Sequence, residues 1–197
     1  MALEDKKNFV KYLENISNAI SHYHDCGYQF INAPWFVSDE AIKATAPPGK
    51  RLVSGFIGNL VASGEQSFIQ MMLNGDLKQG MWQCATPCFR DEFVIDYFHL
   101  NYFFKLELIE IVSSFDESRL NFMLNSALKF FRQFDLEVDV IKTDIGFDIT
   151  GNGIELGSYG YREYNKHMWI YGTGVAEPRL SQIIVRNDVL ENGFTTL

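Results

Sequence analysis

Three stretches of this chain carry groups suited to a phosphorylated nucleotide. The first is Cys88-Phe-Arg-Asp-Glu92 followed by His99-Leu-Asn-Tyr-Phe103, which supplies a guanidinium, a carboxylate, an imidazole and an aromatic ring. The second is Asp148-Ile-Thr-Gly-Asn-Gly-Ile-Glu-Leu-Gly-Ser-Tyr-Gly-Tyr-Arg162. It reads as two short strands around a Gly151-Asn152-Gly153 turn, with Asp148, Glu155 and Arg162 spaced along it. The third, Gly172-Thr-Gly-Val-Ala-Glu-Pro-Arg-Leu180, reads as a glycine-rich turn that delivers Arg179 to the start of an apolar helix. Planar guanidinium groups suit bidentate contact with phosphate. Paired carboxylates suit Mg²⁺ on a polyphosphate, and a ring stacks on a base. The pattern implies chemistry on ATP.

The elements that must position these groups follow from periodicity. Apolar residues Phe9, Val10, Leu13, Ile16 and Ile20 mark a helix over 4–25, stopped by Gly27. Tyr28 to Ala33 reads as a strand ended by Pro34, and Thr45 to Lys50 as a loop. Residues 64–74 are expected to be helical, Trp82 to Phe89 and Tyr102 to Val112 to be strands, and Asp116 to Phe134 to be an amphipathic helix. Short strands follow at 138–142, 145–150, 153–159 and 167–171, and Leu180 to Leu190 closes as a helix. The expected architecture is α+β: an antiparallel β-sheet flanked by helices, one domain over 1–197.

Composition narrows the class. Hydrophobic residues make up 47% and aromatics 15%, enough for a packed core and too many for a disordered chain. No apolar run has the length of a membrane span, and no basic-then-apolar leader opens the chain, so a cytoplasmic protein without a membrane partner is expected. The three cysteines, odd in number and spread out, fit a reducing compartment. A net charge of −8 disfavours extensive nonspecific binding to nucleic acid, and the short cationic stretch Lys43 to Arg51 reads as a solvated loop. His22, His24 and Cys26 lack the spacing for a shared metal, and Cys84 and Cys88 read as buried thiols.

Taken in order, the segments resemble the signature motifs of class II aminoacyl-tRNA synthetases. Gly27-Tyr-Gln-Phe-Ile-Asn-Ala-Pro34 looks like motif 1, whose proline lies near a dimer interface in that family. Phe89-Arg90-Asp-Glu92, His99, Phe103 and Glu107 look like motif 2. That resemblance implies Arg90 on the α-phosphate and substrate carboxylate, Glu92 facing adenine, His99 at the γ-phosphate and Phe103 stacked on the base. Glu107 joins the substrate-binding set. Gly172 to Leu180 looks like motif 3, with Arg179 as the ATP-clamping arginine, Ala176 in place of the third glycine and Glu177-Pro178 before the arginine. Asp148 to Arg162 resembles the segment before motif 3 in the aspartate, asparagine and lysine subclass, and is also similar to ammonia-dependent asparagine synthetase. This implies Asp148 and Glu155 on magnesium and Arg162 reading an acidic or amide side chain. Ser63-Gly-Glu-Gln-Ser-Phe68 resembles the loop that holds the substrate amino group, through Glu65 or Gln66. The same stretch also reads as a helix N-terminus capped by Ser63.

The resemblance implies ATP- and Mg²⁺-dependent activation of an amino acid through an aminoacyl adenylate, by a class II catalytic domain without an anticodon-binding module. Arg90 and Arg179 are the expected catalytic residues, in a site that works by positioning and electrostatics. A homodimer is expected. The acceptor is expected to be ammonia, an amine or a carrier protein, with tRNA possible but not favoured. The alternative is an inactive paralogue serving as a regulatory or accessory subunit; a trans-editing module lacks both a hydrolytic site and a basic face.

Overall fold

The computed structural model describes residues 3–46, 53–92, 95–96 and 100–192. His99 and part of the Lys43–Arg51 stretch lie outside the described residues. The chain begins with helix α1 (Leu3–Asp25), followed by Gly27 at a φ of 98°. Ile16, Ala19 and Tyr23 form its buried stripe, whereas Phe9, Val10 and Leu13 are about half exposed. Then come the short strands β1 (Gln29–Phe30) and β2 (Phe36–Val37), helix α2 (Asp39–Lys43), and strands β3 (Ser54–Gly55) and β4 (Gly58–Leu60). Helix α3 (Gly64–Asn74) leads into the long hairpin β5 (Gly80–Phe89) and β6 (Tyr102–Val112). Helix α4 (Glu117–Phe131) starts at Asp116, whose carboxylate accepts from the Ser118 amide at 2.9 Å. Strands β7 (Val138–Thr143), β8 (Gly146–Gly151), β9 (Ile154–Tyr164) and β10 (His167–Glu177) run as a meander into helix α5 (Arg179–Asn192).

Seven strands form one sheet in the order β1-β5-β6-β10-β9-β8-β7, and β2, β4 and β3 form a small second sheet. β1 runs parallel to β5; the other pairings in the large sheet are antiparallel. Side chains alternate across it, so each face builds its own core. Leu106 and Leu108 face α1 and α4 with Met123, Phe130 and Tyr159. Ile109 and Ile111 face α3 with Phe68, Ile69, Trp169 and Tyr171. The α+β architecture, a large antiparallel sheet flanked by helices, is the one expected from the sequence. No described helix is long and apolar enough to cross a membrane.

The sequence reading has no counterpart to β2, α2, β3 and β4, and β9 runs to Tyr164, past the expected 159. Two further elements differ in kind. The strand expected over Tyr28 to Ala33 pairs only at Gln29 and Phe30, with one more ladder-like bond from the Ile31 amide to the Gln83 carbonyl. The chain then turns away toward Pro34, which has no amide to donate. The glycine-rich turn expected at Gly172 is strand instead, because β10 continues to Glu177 beside β6. Its glycines make room rather than turns. A Cβ on Gly172 would stand 2.5 Å from Met123 Sδ and from the Tyr159 ring, and one on Gly174 would stand 3.0 Å from Leu106. The Gly151-Asn152-Gly153 turn is a hairpin as expected: Asn152 and Gly153 take φ of 50° and 77°, the two positive angles of a type I′ turn.

Candidate active site

One face of the sheet, with β5, β6, β9 and β10 and the N-terminus of α3, borders an open cavity of about 290 Å³. Strand alternation decides which side chains enter it. On β6 the residues Phe103, Lys105 and Glu107 share one face, opposite the buried Leu106 and Leu108. Arg90 lies just past β5, where its amide donates to the Asn101 carbonyl at 2.8 Å. Its Nε donates to the Ala62 carbonyl at 3.2 Å, and its guanidinium carbon stands 4.9 Å from the Phe103 ring centroid. Glu92 lines the same cavity, its amide bonded to Asn101 Oδ1 at 3.1 Å.

Gly64 allows α3 to start flat against the sheet. A Cβ there would meet Cys84 Sγ, Thr86 Oγ1 and Glu107 Cβ, each at 3.1 Å. This places the first helical side chains over the cavity. Ser63 Oγ lies 3.5 Å from the Glu65 amide as the cap and donates to Glu107 Oε2 at 2.8 Å. The stretch is thus the helix start capped by Ser63, and it also contributes Ser63, Glu65 and Gln66 to the cavity wall. Gln66 accepts from the Ala62 amide at 2.8 Å and donates to Thr45 Oγ1 at 3.2 Å.

Two ion pairs stand inside the cavity. Glu65, 4% exposed, pairs with Arg162 and accepts from Trp169 Nε1 at 2.7 Å. Burial pushes its carboxyl above the ordinary range, and the Arg162 charge pulls it back. Arg162 also lies over the Tyr171 ring, 4.2 Å from the centroid. Glu107, 2% exposed, pairs with Lys105 at 2.8 Å. The thiols of Cys84 and Cys88 are buried beneath, and burial raises Cys88 to about 11, so neither is a nucleophile at neutral pH.

The third wall is the β8–β9 hairpin. Register between these strands shifts between Ile149 and Thr150, and this bulge brings both Glu155 and Ser158 to the cavity while Leu156 turns into the core. Asp148 stands opposite Ser158 in the register; partial burial raises its pKa, the Ser158 hydroxyl bond lowers it and the Glu155 charge raises it again. Glu155 Oε1 accepts from Arg179 Nη1 at 3.2 Å at the mouth of the cavity. The Glu155 charge thus reaches Asp148, while Glu155 itself is taken by Arg179. No group of three or more His, Cys, Asp or Glu suited to a metal occurs among the described residues; His22, for one, has its Nε2 2.8 Å from the Ser126 carbonyl.

Glu65, Gln66, Arg90, Glu92, Glu107, Glu155 and Arg162 all line the one cavity. Phe103 joins through Arg90, Asp148 through Ser158 and Arg179 through Glu155. Sequence reasoning missed Lys105, Ser158, Tyr171 and Thr173, which also line it. Lys105 was within reach, because it sits midway between Phe103 and Glu107 on a period of two.

No protein-family model and no curated protein matches this chain. Solved structures do. The cytoplasmic serine-tRNA ligase of Naegleria fowleri, in complex with AMP, aligns with a TM-score of 0.67 at 18% identity, over 89% of this chain and 48% of that one. The seryl-tRNA synthetase of Pyrococcus horikoshii, complexed with ATP, aligns with a TM-score of 0.72 at 15% identity, over 90% and 50%. The pyrrolysyl-tRNA synthetase of Desulfitobacterium hafniense aligns with a TM-score of 0.65 at 17% identity, over 94% and 74%. The chain thus spans about half the length of the two seryl enzymes. It has the catalytic fold of the class II aminoacyl-tRNA synthetases.

Proposed function

We propose that this chain is an ATP-dependent ligase domain that activates an amino acid as its adenylate. The observation that carries the proposal is convergence. Arg90, Glu92, Glu65, Glu107, Glu155 and Arg162 come from segments far apart in sequence and line one cavity, on a fold whose solved neighbours include one with AMP and one with ATP. In the proposed reaction a carboxylate oxygen of the amino acid attacks the α-phosphorus. A new P–O bond forms, the bond to the β-phosphate bridge breaks, and pyrophosphate leaves with that electron pair. Arg90 holds the α-phosphate and the attacking carboxylate, and Arg179 clamps the triphosphate. Phe103 offers the stacking face and Glu92 faces the base; the γ-phosphate role expected of His99 falls outside the described residues.

Charge supports a metal requirement. Among the described residues the cavity lining carries five carboxylates and three cations, so ATP's polyphosphate meets few positive groups there. Asp148 and Glu155 would hold Mg²⁺, which supplies charge neutralisation on the phosphates. The net charge of −8 supports an acceptor other than tRNA. The half-exposed apolar side chains of Phe9, Val10, Leu13, Phe30 and Trp35 support a homodimer through α1 and β1. A cytoplasmic location and a single catalytic domain complete the reading.

One observation favours a second reading, an inactive paralogue: Arg90 lies over the Phe103 ring and Arg179 is held by Glu155, so both cations already have partners. Calorimetric titration of wild type and Arg179→Ala with ATP and magnesium, followed by capture of adenylate from α-labelled ATP, separates the two. Binding and adenylate that are both lost in the variant support activation. Absence of both in the wild type leaves the regulatory reading.

A further inference from the structure

We infer that the amino acid taken by this site has a small, uncharged side chain; the inference rests on the activation reading above. The part of the cavity away from Arg90 and Arg179 is built by the start of α3 and by β6, β9 and β10. Its ionised groups are matched in advance. Glu65 is paired with Arg162, and its other oxygen takes the Trp169 indole. Glu107 is paired with Lys105 and accepts from Ser63. Both carboxylates are buried, at 4% and 2% exposure, so these charges are poorly screened and the region is electrically neutral.

A side-chain carboxylate or a second ammonium, beyond the substrate's own α-ammonium, loses water on entering that region and meets no unmatched opposite charge among the described residues. It could gain a partner only by breaking a buried pair, which leaves another charge alone. Arg162 is further committed by the Tyr171 ring 4.2 Å from its guanidinium carbon. That occupation weighs against its reading an acidic or amide side chain. Large apolar side chains fare no better. The wall there offers the short side chains of Thr45, Ala46, Ser158 and Thr173, with no aliphatic slot among the described residues. At about 290 Å³ the cavity stands at the small end of ligand sites. Short hydroxyl side chains and a neutral floor fit glycine, alanine, serine, threonine or cysteine.

The test is calorimetric binding of non-hydrolysable aminoacyl sulfamoyl adenosines to the full chain. The panel is glycyl, alanyl, seryl and threonyl against aspartyl, lysyl, leucyl and phenylalanyl. The expected result is one small neutral member bound at least about 30-fold more tightly than any charged or large one. A charged or large analogue bound as tightly as the best small one overturns the inference. So does ATP binding with no analogue bound. Absence of both ATP and analogue binding overturns the activation reading itself. The isosteric Glu107→Gln variant gives a second readout, since it leaves Lys105 unmatched. Its affinity for the aspartyl analogue should rise at least about 10-fold relative to the best small analogue. A folded variant with no such change in preference overturns the charge-matching argument.

Discussion

Replacing Arg162 with alanine strands the Glu65 carboxylate. In the wild type that carboxylate is 4% exposed and has two partners, the Arg162 guanidinium and the Trp169 indole at 2.7 Å. Removing one member of a buried ion pair costs roughly 3–5 kcal/mol. Two features place this pair at the lower end. The Arg162 side chain is 30% exposed, so water can partly replace it, and Trp169 keeps its hydrogen bond. The expected loss is about 3 kcal/mol at pH 8. It should shrink in acid. Burial already holds the Glu65 pKa above its ordinary value, and loss of the Arg162 charge raises it further. The folded variant then keeps a proton that the unfolded chain gives up, so its stability relative to wild type falls as pH rises through that pKa. Urea unfolding at pH 5 and pH 8, followed by tryptophan fluorescence, measures both terms. Adding Glu65→Gln should recover about 2 kcal/mol at pH 8, because it removes the stranded charge. A loss below 1 kcal/mol, the same loss at both pH values, or strict additivity of the two substitutions would refute the reasoning.

Other expectations follow from single sites. Burial raises Glu177, 2% exposed, from 4.5 to about 7 against the hydrogen bonds from Asn15 and Ser181. The folded protein therefore loses about 3 kcal/mol of stability between pH 4.5 and 7. Glu177→Gln should flatten that part of the stability curve, and an unchanged slope in urea titrations contradicts the assignment. Gly64→Val forces a branched side chain into Cys84, Thr86 and Glu107, which are already 3.1 Å from a Cβ. A cost of about 1–3 kcal/mol is expected, with α3 pushed off the sheet and ATP affinity reduced. Wild-type stability together with wild-type ATP binding in that variant rules out the tight seat drawn for α3.

Much of the fold was legible because its elements keep their period. Helix α3 begins and ends at the residues the pattern gives, 64 and 74, and β6 runs from Tyr102 to Val112 with no break in alternation. The far strands were cut short in the reading because Gly160, Gly172 and Gly174 look like stops. In the sheet they are spaces, occupied by the Tyr171 ring, by Met123 and Tyr159, and by Leu106 and Tyr23. One sequence gives no sign that a side chain elsewhere needs that room. The site shows the same division. Arg90, Phe103 and Glu107 share a face by simple alternation, and Lys105 belongs to the same series. The Glu65–Arg162 pair joins positions 97 residues apart, and only the assembled sheet reveals it.

The central claim is amino-acid activation in the cavity bounded by Arg90, Glu107 and Arg162. Its most direct test is amino-acid-dependent exchange of labelled pyrophosphate into ATP, with magnesium, across all twenty amino acids. The account predicts exchange with a small neutral amino acid and its loss in Arg90→Ala. Absence of exchange with every amino acid, in a folded protein supplied with ATP and magnesium, would contradict it.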